Sequence, residues 1–251
     1  MVNKKKLLTA RVLADKLDLT VETIWKYTRE NKIPYIKLGT RQYRYRLKNV
    51  IRALNSSPVK EKKAKYNPDE SKKYTYRDYL ELPEEPGYKF EVLEGMLVKE
   101  PSPNVLHQRV SRRLLQILKD YFRKVDPDGE IFYAPLDVTF NETNVVQPDI
   151  LYISGEQKEI IKEKRIKGSP LLVIEIISPY SSRKDRVQKM NIYRKEGVQH
   201  YWLVNPEEKT FESFVLRDNT YSLIASGMDT DTIEHPVFNK LNIPLEKLWK
   251  E

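Results

Sequence analysis

Leu171-Leu172-Val173-Ile174-Glu175-Ile176-Ile177 is an apolar run with a single interruption, Glu175. A short β-branched run of this kind reads as a buried central strand. A carboxylate in its middle is costly to bury unless it is paired or meets a cation. Upstream, Val145-Val146-Gln147-Pro148-Asp149-Ile150-Leu151 sets Asp149 between apolar neighbours in the same way. Two carboxylates on adjacent strands make a hard oxygen site suited to Mg²⁺, with Mn²⁺ as its substitute. Asp149 and Glu175 are therefore the candidate metal ligands.

After Glu175, Ser181–Glu196 reads as a helix. Asp185, Lys189 and Tyr193 stand four residues apart on it and share one face. Lys189 is placed to neutralise charge on a phosphate or to position an attacking water. A plainer reading makes Glu175 an ion-pair partner of Lys189, Asp149 a turn cap after Pro148, and Asp185 a support for Lys189. Tyr193, Tyr201 and Trp202 then belong to the core.

Further out, Tyr88–Lys99 predicts a hairpin turning at Glu94-Gly95. Residues 103–123 carry Leu106, Val110, Leu114, Ile117, Leu118 and Tyr121 at helical spacing. Ile131–Phe140 and Val145–Ile153 read as strands, the second interrupted by Pro148, as does His200–Val204, and Phe211–Leu216 with Tyr221–Ala225 makes a closing hairpin. The core order of helix, three strands, helix and strand predicts an α/β sandwich.

Asp, Glu and Lys set around such a core resemble the active site of PD-(D/E)XK nucleases. More narrowly, residues 74–205 and somewhat beyond are similar to the Uma-two family of restriction-endonuclease-type proteins. The matching pieces are Phe90-Glu91-Val92-Leu93-Glu94-Gly95, His107-Gln108, Gln147-Pro148-Asp149 and Glu175-Ile176-Ile177-Ser178-Pro179. Asp185, Lys189, Tyr193 and Gly197-Val198 follow at the family's spacing, then Tyr201-Trp202-Leu203-Val204. The resemblance implies a restriction-endonuclease-like sandwich and metal-dependent phosphodiester hydrolysis. It adds Glu91 to Asp149, Glu175 and Lys189 as a catalytic candidate; the plainer reading of Glu91 is a surface acid on a strand. The nuclease pattern usually has its lysine two residues after the glutamate. Here that position is Ile177, and Lys189 is the expected replacement.

Charge divides the chain. Of its 251 residues, 45 are Lys or Arg and 36 Asp or Glu, a net charge of +9. Residues 1–65 hold 18 basic and 5 acidic side chains, and the rest hold 27 and 31. The basic surplus lies wholly at the start, where it attracts a polyanion. Thr9 and Thr20 read as N-caps of two short helices. Val12, Leu13 and Leu17 line the first; Val21, Ile24 and Trp25 line the second. Ile33 to Arg46 reads as two strands joined at Gly39-Thr40-Arg41-Gln42, with Arg44 and Arg46 on one face, and Leu47–Leu54 closes the unit as a helix. This run resembles the excisionase/MerR-type winged helix-turn-helix family. By that resemblance Thr23, Lys26, Tyr27 and Arg29 face the DNA groove, and Arg41, Arg44 and Arg46 lie on the wing.

The expected organisation is a DNA-binding domain over residues 1–56, a charged linker over 57–73 and a nuclease domain over 74–251. Cysteine is absent, which excludes disulfides, thiolate metal sites and a cysteine nucleophile. No apolar run reaches membrane-spanning length and no signal-type stretch follows the basic start, so a cytoplasmic protein is expected. The expected function is a Mg²⁺-dependent DNA endonuclease, dimeric, acting on double-stranded DNA. The rival is an inactive DNA-binding regulator or mobile-element accessory protein that uses the nuclease fold for dimerisation or docking.

Overall fold

The computed structural model describes residues 7–17, 19–30, 32–38, 43–56, 72–178 and 181–250. The chain divides into two compact units, Met1–Asn67 and Pro68–Glu251.

The first unit contains α1 (Ala10–Leu17), α2 (Val21–Arg29), an antiparallel pair β1 (Ile36–Lys37) and β2 (Tyr43–Arg44), and α3 (Leu47–Ser56). Thr20 caps α2, its hydroxyl accepting from Thr23 N at 3.1 Å. Leu13, Ala14, Ile24, Ile33, Tyr45 and Val50 form the core. Trp25 and Val12, expected on the apolar faces, are instead 50% and 43% exposed. Helices this short bury one stripe each. In α2 the stripe is Ile24 and Thr28, and Trp25 lies about 100° round the helix from Ile24. Thr28 tolerates burial because its hydroxyl donates to Ile24 O at 2.7 Å and pairs with Tyr45 OH at 2.8 Å. The turn at Gly39–Gln42, with Arg41, lies outside the described residues, as does most of the expected linker.

In the second unit, α4 (Tyr76–Leu80) precedes the hairpin of β3 (Tyr88–Leu93) and β4 (Met96–Pro101). Glu94 and Gly95 both take positive φ, 52° and 83°, as a two-residue turn of this hand requires. Then come α5 (Val105–Val125), β5 (Glu130–Tyr133), β6 (Val138–Asn141), β7 (Asn144–Val146), β8 (Ile150–Ile153), β9 (Ile166–Lys167) and β10 (Leu172–Ile176). A helix over 182–195 ends in α6 (Met190–Lys195). The chain closes with β11 (His200–Asn205), β12 (Thr210–Arg217), β13 (Thr220–Met228), β14 (Thr232–Glu234), β15 (Asn242–Pro244) and α7 (Leu245–Trp249).

Two main sheets result, a six-stranded one in the order β13-β12-β11-β10-β8-β5 and a five-stranded one in the order β4-β3-β7-β6-β9. Within the larger sheet β10 and β11 pair in parallel, the other neighbours being antiparallel, and the 182–195 helix is the parallel pair's crossover. The two strands expected at Ile131–Phe140 and Val145–Ile153 each break in two. Their first and second halves belong to different sheets. Pro135 and Pro148 stand at the breaks; lacking an N–H, proline cannot carry a ladder, and the chain changes sheets there.

Along β10, Leu172, Ile174 and Ile176 pack on one side with Val110, Leu114, Leu118 and Phe122 of α5 and with Leu245 and Leu248 of α7. Each such buried side chain contributes roughly 1.5–3 kcal/mol. Val173 and Ile177 face the other side, with Leu93, Val146, Ile192 and Tyr193. Strand alternation sends Glu175 to this second side. Among the described residues, no helix is long and apolar enough to cross a membrane.

Candidate active site

Asp149 immediately precedes β8, and Glu175 lies on β10. The register Ile174↔Ile150 makes the two acids neighbours across the ladder. Both are buried and both line a cleft of about 300 Å³ with Lys89, Glu100, His107, Lys184 and Asp185. Asp149 Oδ2 accepts from Ile176 N at 2.7 Å and meets His107 Nε2 at 3.1 Å. Its Oδ1 is buried without a hydrogen-bond partner among the described residues. Burial pushes the Asp149 carboxyl up. The His107 hydrogen bond, the Lys89 charge and the Ile176 N–H more than offset this and hold it below the ordinary range.

Glu175 Oε1 accepts from Lys189 Nζ at 2.9 Å and from Tyr193 OH at 2.6 Å. Its carboxyl is pushed up to about 7, first by burial and then by Asp185, Asp149 and Glu91, against the pull of Lys189. Glu91 is wholly buried on β3 rather than a surface acid. Its Oε1 forms an ion pair with Lys189 Nζ at 2.7 Å and accepts from Gln147 N at 2.8 Å, and its Oε2 accepts from Lys184 Nζ at 2.8 Å. Burial raises its pKa, but the ammoniums of Lys189, Lys184 and Lys89 dominate and lower it.

Lys189 has no exposed surface and bridges Glu91 to Glu175, behind the cleft wall. Burial disfavours its charge, yet Glu175 and Glu91 raise its pKa well above the ordinary value. Asp185 is buried, and burial raises its pKa. Its Oδ1 has no hydrogen bond among the described residues and lies 3.7 Å from Lys184 Nζ. Lys184, unremarkable in the sequence, also contacts Glu100.

The helix explains this. Residues Lys184–Lys189 are wound as a π-helix, and five-residue spacing brings Lys184 and Lys189 onto one face. No residue pattern signals that winding; the four-residue spacing links Asp185 to Lys189 instead. Tyr193 is core, as the plainer reading had it, and its hydroxyl also fixes Glu175.

The structure thus brings Asp149, Glu175, Glu91 and Lys189 together. Six carboxyl groups (Glu91, Glu100, Asp149, Glu175, Asp185, Glu207) face three ammoniums (Lys89, Lys184, Lys189), leaving negative charge in excess. That excess, the hard oxygens and the unpartnered Oδ1 of Asp149 fit a divalent cation. Among the described residues, no three His, Asp or Glu side chains form a ready-made metal cage. Mg²⁺ commonly uses one or two carboxylates and keeps its waters, so a pair suffices.

In the first unit, Lys26, Arg29 and Arg46 are exposed, and Thr23, Tyr27 and Arg44 half-buried. Thr23 Oγ1 bonds Thr20 Oγ1 at 2.9 Å, and the Arg44 guanidinium donates to Tyr43 O at 3.0 Å. Arg41 lies outside the described residues.

An uncharacterized protein of Synechocystis sp. is 25% identical over 133 residues, which cover 52% of this chain and 74% of that protein. The crystal structure of "a putative nuclease belonging to DUF820" from Anabaena variabilis superposes with a TM-score of 0.57 at 21% identity. It covers 70% of this chain and 97% of that one, so the two share a fold. The Uma2 family profile, described as "Putative restriction endonuclease", matches residues 76–246. A profile match over that much of the sequence, on the unit that carries the acid and lysine cluster, establishes that the chain belongs to the Uma2 family.

Proposed function

We propose that the chain is a divalent-metal-dependent DNA endonuclease, with a phosphodiester-cleaving site in the second unit and a duplex-binding winged helix in the first. One observation carries the reading: Asp149 and Glu175 share a cleft with excess negative charge, backed by a buried lysine network. Asp149 and Glu175 would hold Mg²⁺ or Mn²⁺. A cation held there supplies Lewis acidity to the scissile phosphate and to water. Lys189 and Tyr193 occupy Glu175 Oε1 and so fix that side chain. Ile176 N–H and His107 do the same for Asp149 Oδ2, leaving Oδ1 as its unpartnered oxygen among the described residues. From behind the cleft, Glu91 holds Lys189 beside it and Lys184 in the cleft wall. Substrate affinity falls to the basic first unit, since a cleft with excess negative charge attracts DNA weakly by itself. Cutting both strands calls for two sites, hence a homodimer.

The test is plasmid nicking with Mg²⁺ or Mn²⁺ by wild type, Asp149→Ala and Glu175→Ala. Nicking by wild type alone is expected. Equal behaviour of all three removes the proposed chemistry. The rival reading, a non-cleaving DNA-binding regulator, draws on the Lys189–Glu175 ion pair, which closes charge within the protein. It predicts metal-independent, salt-sensitive DNA binding with no cut product.

A further inference from the structure

The three lysines of the cluster are not equally committed. Lys189 is fully buried and bridges Glu91 and Glu175. Lys184 is nearly as buried and contacts Glu91, Glu100 and Asp185. Among the described residues, the ion-pair partner of Lys89 is Glu100 alone, with Oε2 at 3.9 Å, which is beyond hydrogen-bond reach. Among those same residues its ammonium makes no hydrogen bond. Its side chain is 18% exposed, against 9% for Lys184 and none for Lys189.

The placement of Lys89 follows from the strand. It stands two residues before Glu91 on β3, so both point to the same side of the sheet. Its cross-strand partner in the β3–β4 ladder is Glu100, which sets the 3.9 Å approach. Lys89 also borders a second groove, lined by Tyr79, Leu82, Pro86, Tyr88 and Gln108, which joins the cleft at Lys89, Ser102 and Pro103. A phosphodiester entering the cleft meets carboxylates on most sides. It needs a cation that is not already hydrogen-bonded within the protein, and among the described residues of the cluster Lys89 is that cation.

We infer that Lys89 is the ammonium that contacts the substrate phosphate, at the mouth between cleft and groove, while Lys184 and Lys189 act as positioning residues for the carboxylates. This rests on the endonuclease reading above. The charge of Lys89 is secure: burial lowers its pKa, but Glu91, Asp149 and Glu175 more than reverse this.

The test uses the full chain and two readouts. The first is single-turnover cleavage of a short duplex with Mg²⁺ by wild type, Lys89→Gln and Lys89→Arg. The second is acetylation of lysines in the wild type, read by mass spectrometry with and without the duplex, in Ca²⁺. A loss of about a hundredfold in Lys89→Gln is expected, typical of removing one donor to a developing charge, with Lys89→Arg recovering to within about tenfold. Lys89 should be shielded from acetylation by the duplex. Cleavage by Lys89→Gln within about threefold of wild type overturns the assignment at the scale set for one such donor. Acetylation of Lys89 seen in the free protein at alkaline pH, where the amine is partly neutral, and left unchanged by the duplex also overturns it. A wild type that shields Lys89 but never cuts supports the phosphate contact and sinks the endonuclease reading; one that cuts with Lys89 unshielded does the reverse.

Discussion

Lys184 and Lys189 form ion pairs with opposite oxygens of one buried carboxylate, Glu91, at 2.8 and 2.7 Å. They can do so because the π-helical winding between them turns residues five apart onto a common face. On an α-helix, residues five apart stand roughly 140° apart round the axis, which would break the pair. The arrangement makes the cluster a unit, with consequences for stability and for chemistry.

Lys189→Met is expected to destabilise the second unit by about 3–5 kcal/mol, because Glu91 and Glu175 are left without their shared buried cation. Denaturant unfolding checks this. Adding Glu175→Gln to Lys189→Met should recover part of the loss; a double variant no more stable than the single one would show that the charge pairing is not the cause.

Divalent metal should stabilise the folded chain through Asp149 and Glu175. At a hundred times its dissociation constant, a ligand specific for the native state adds about 2.7 kcal/mol. Thermal melts with Mn²⁺ and with EDTA should differ for wild type and coincide for Asp149→Asn. Coincident wild-type melts would remove the metal site.

Acid should weaken the second unit through two buried histidines. Burial lowers His200 from 6.5 to about 4, and burial together with His200 lowers His235 to about 4. His235 Nδ1 accepts from Val237 N at 3.2 Å and Phe238 N at 3.0 Å, while Nε2 meets Ser213 Oγ at 2.8 Å, so an added proton has no place on Nδ1. Between pH 6.5 and 4 the unfolded chain binds more protons at these sites; their stability is full above 6.5 and drains as pH falls toward 4. Melting curves over this range should fall steadily for wild type and less steeply for His235→Gln. Parallel curves would place the acid sensitivity elsewhere.

Duplex binding should depend on the exposed cations of α2 and the residue two beyond Arg44. Lys26→Ala with Arg29→Ala, and Arg46→Ala separately, should each flatten the log–log salt dependence, by about one unit for every phosphate no longer engaged. Fluorescence anisotropy over a range of salt measures the slope. An unchanged slope in both variants would move the DNA-binding face off these residues.

Much of the second unit is legible from side-chain pattern alone. The buried run around Glu175, the turn at Glu94-Gly95 and the stripe of α5 each follow from local rules of burial and backbone preference. Asp149 and Glu175 stand out because polar groups among apolar neighbours demand partners, and Lys189 because helical spacing sets it beside them. Glu91 enters through family resemblance. Lys184, Glu100 and Lys89 do not stand out. On a sequence they look like ordinary surface charges, and their convergence depends on how β3, β4 and the helix pack. The break at Pro135 is equally hidden, because the apolar character continues across it; Pro148 marks an interruption in the sequence, but does not show that the backbone moves to another sheet there.

The sequence by itself determined which apolar residues of the second unit's main strands and long helix are hidden, since hydrophobic periodicity is a local property of the chain. Only the tertiary structure decided which ammonium satisfies which carboxylate. That outcome depends on a π-wound turn and on strand register, which arise when distant segments pack and leave no repeat in the residues themselves.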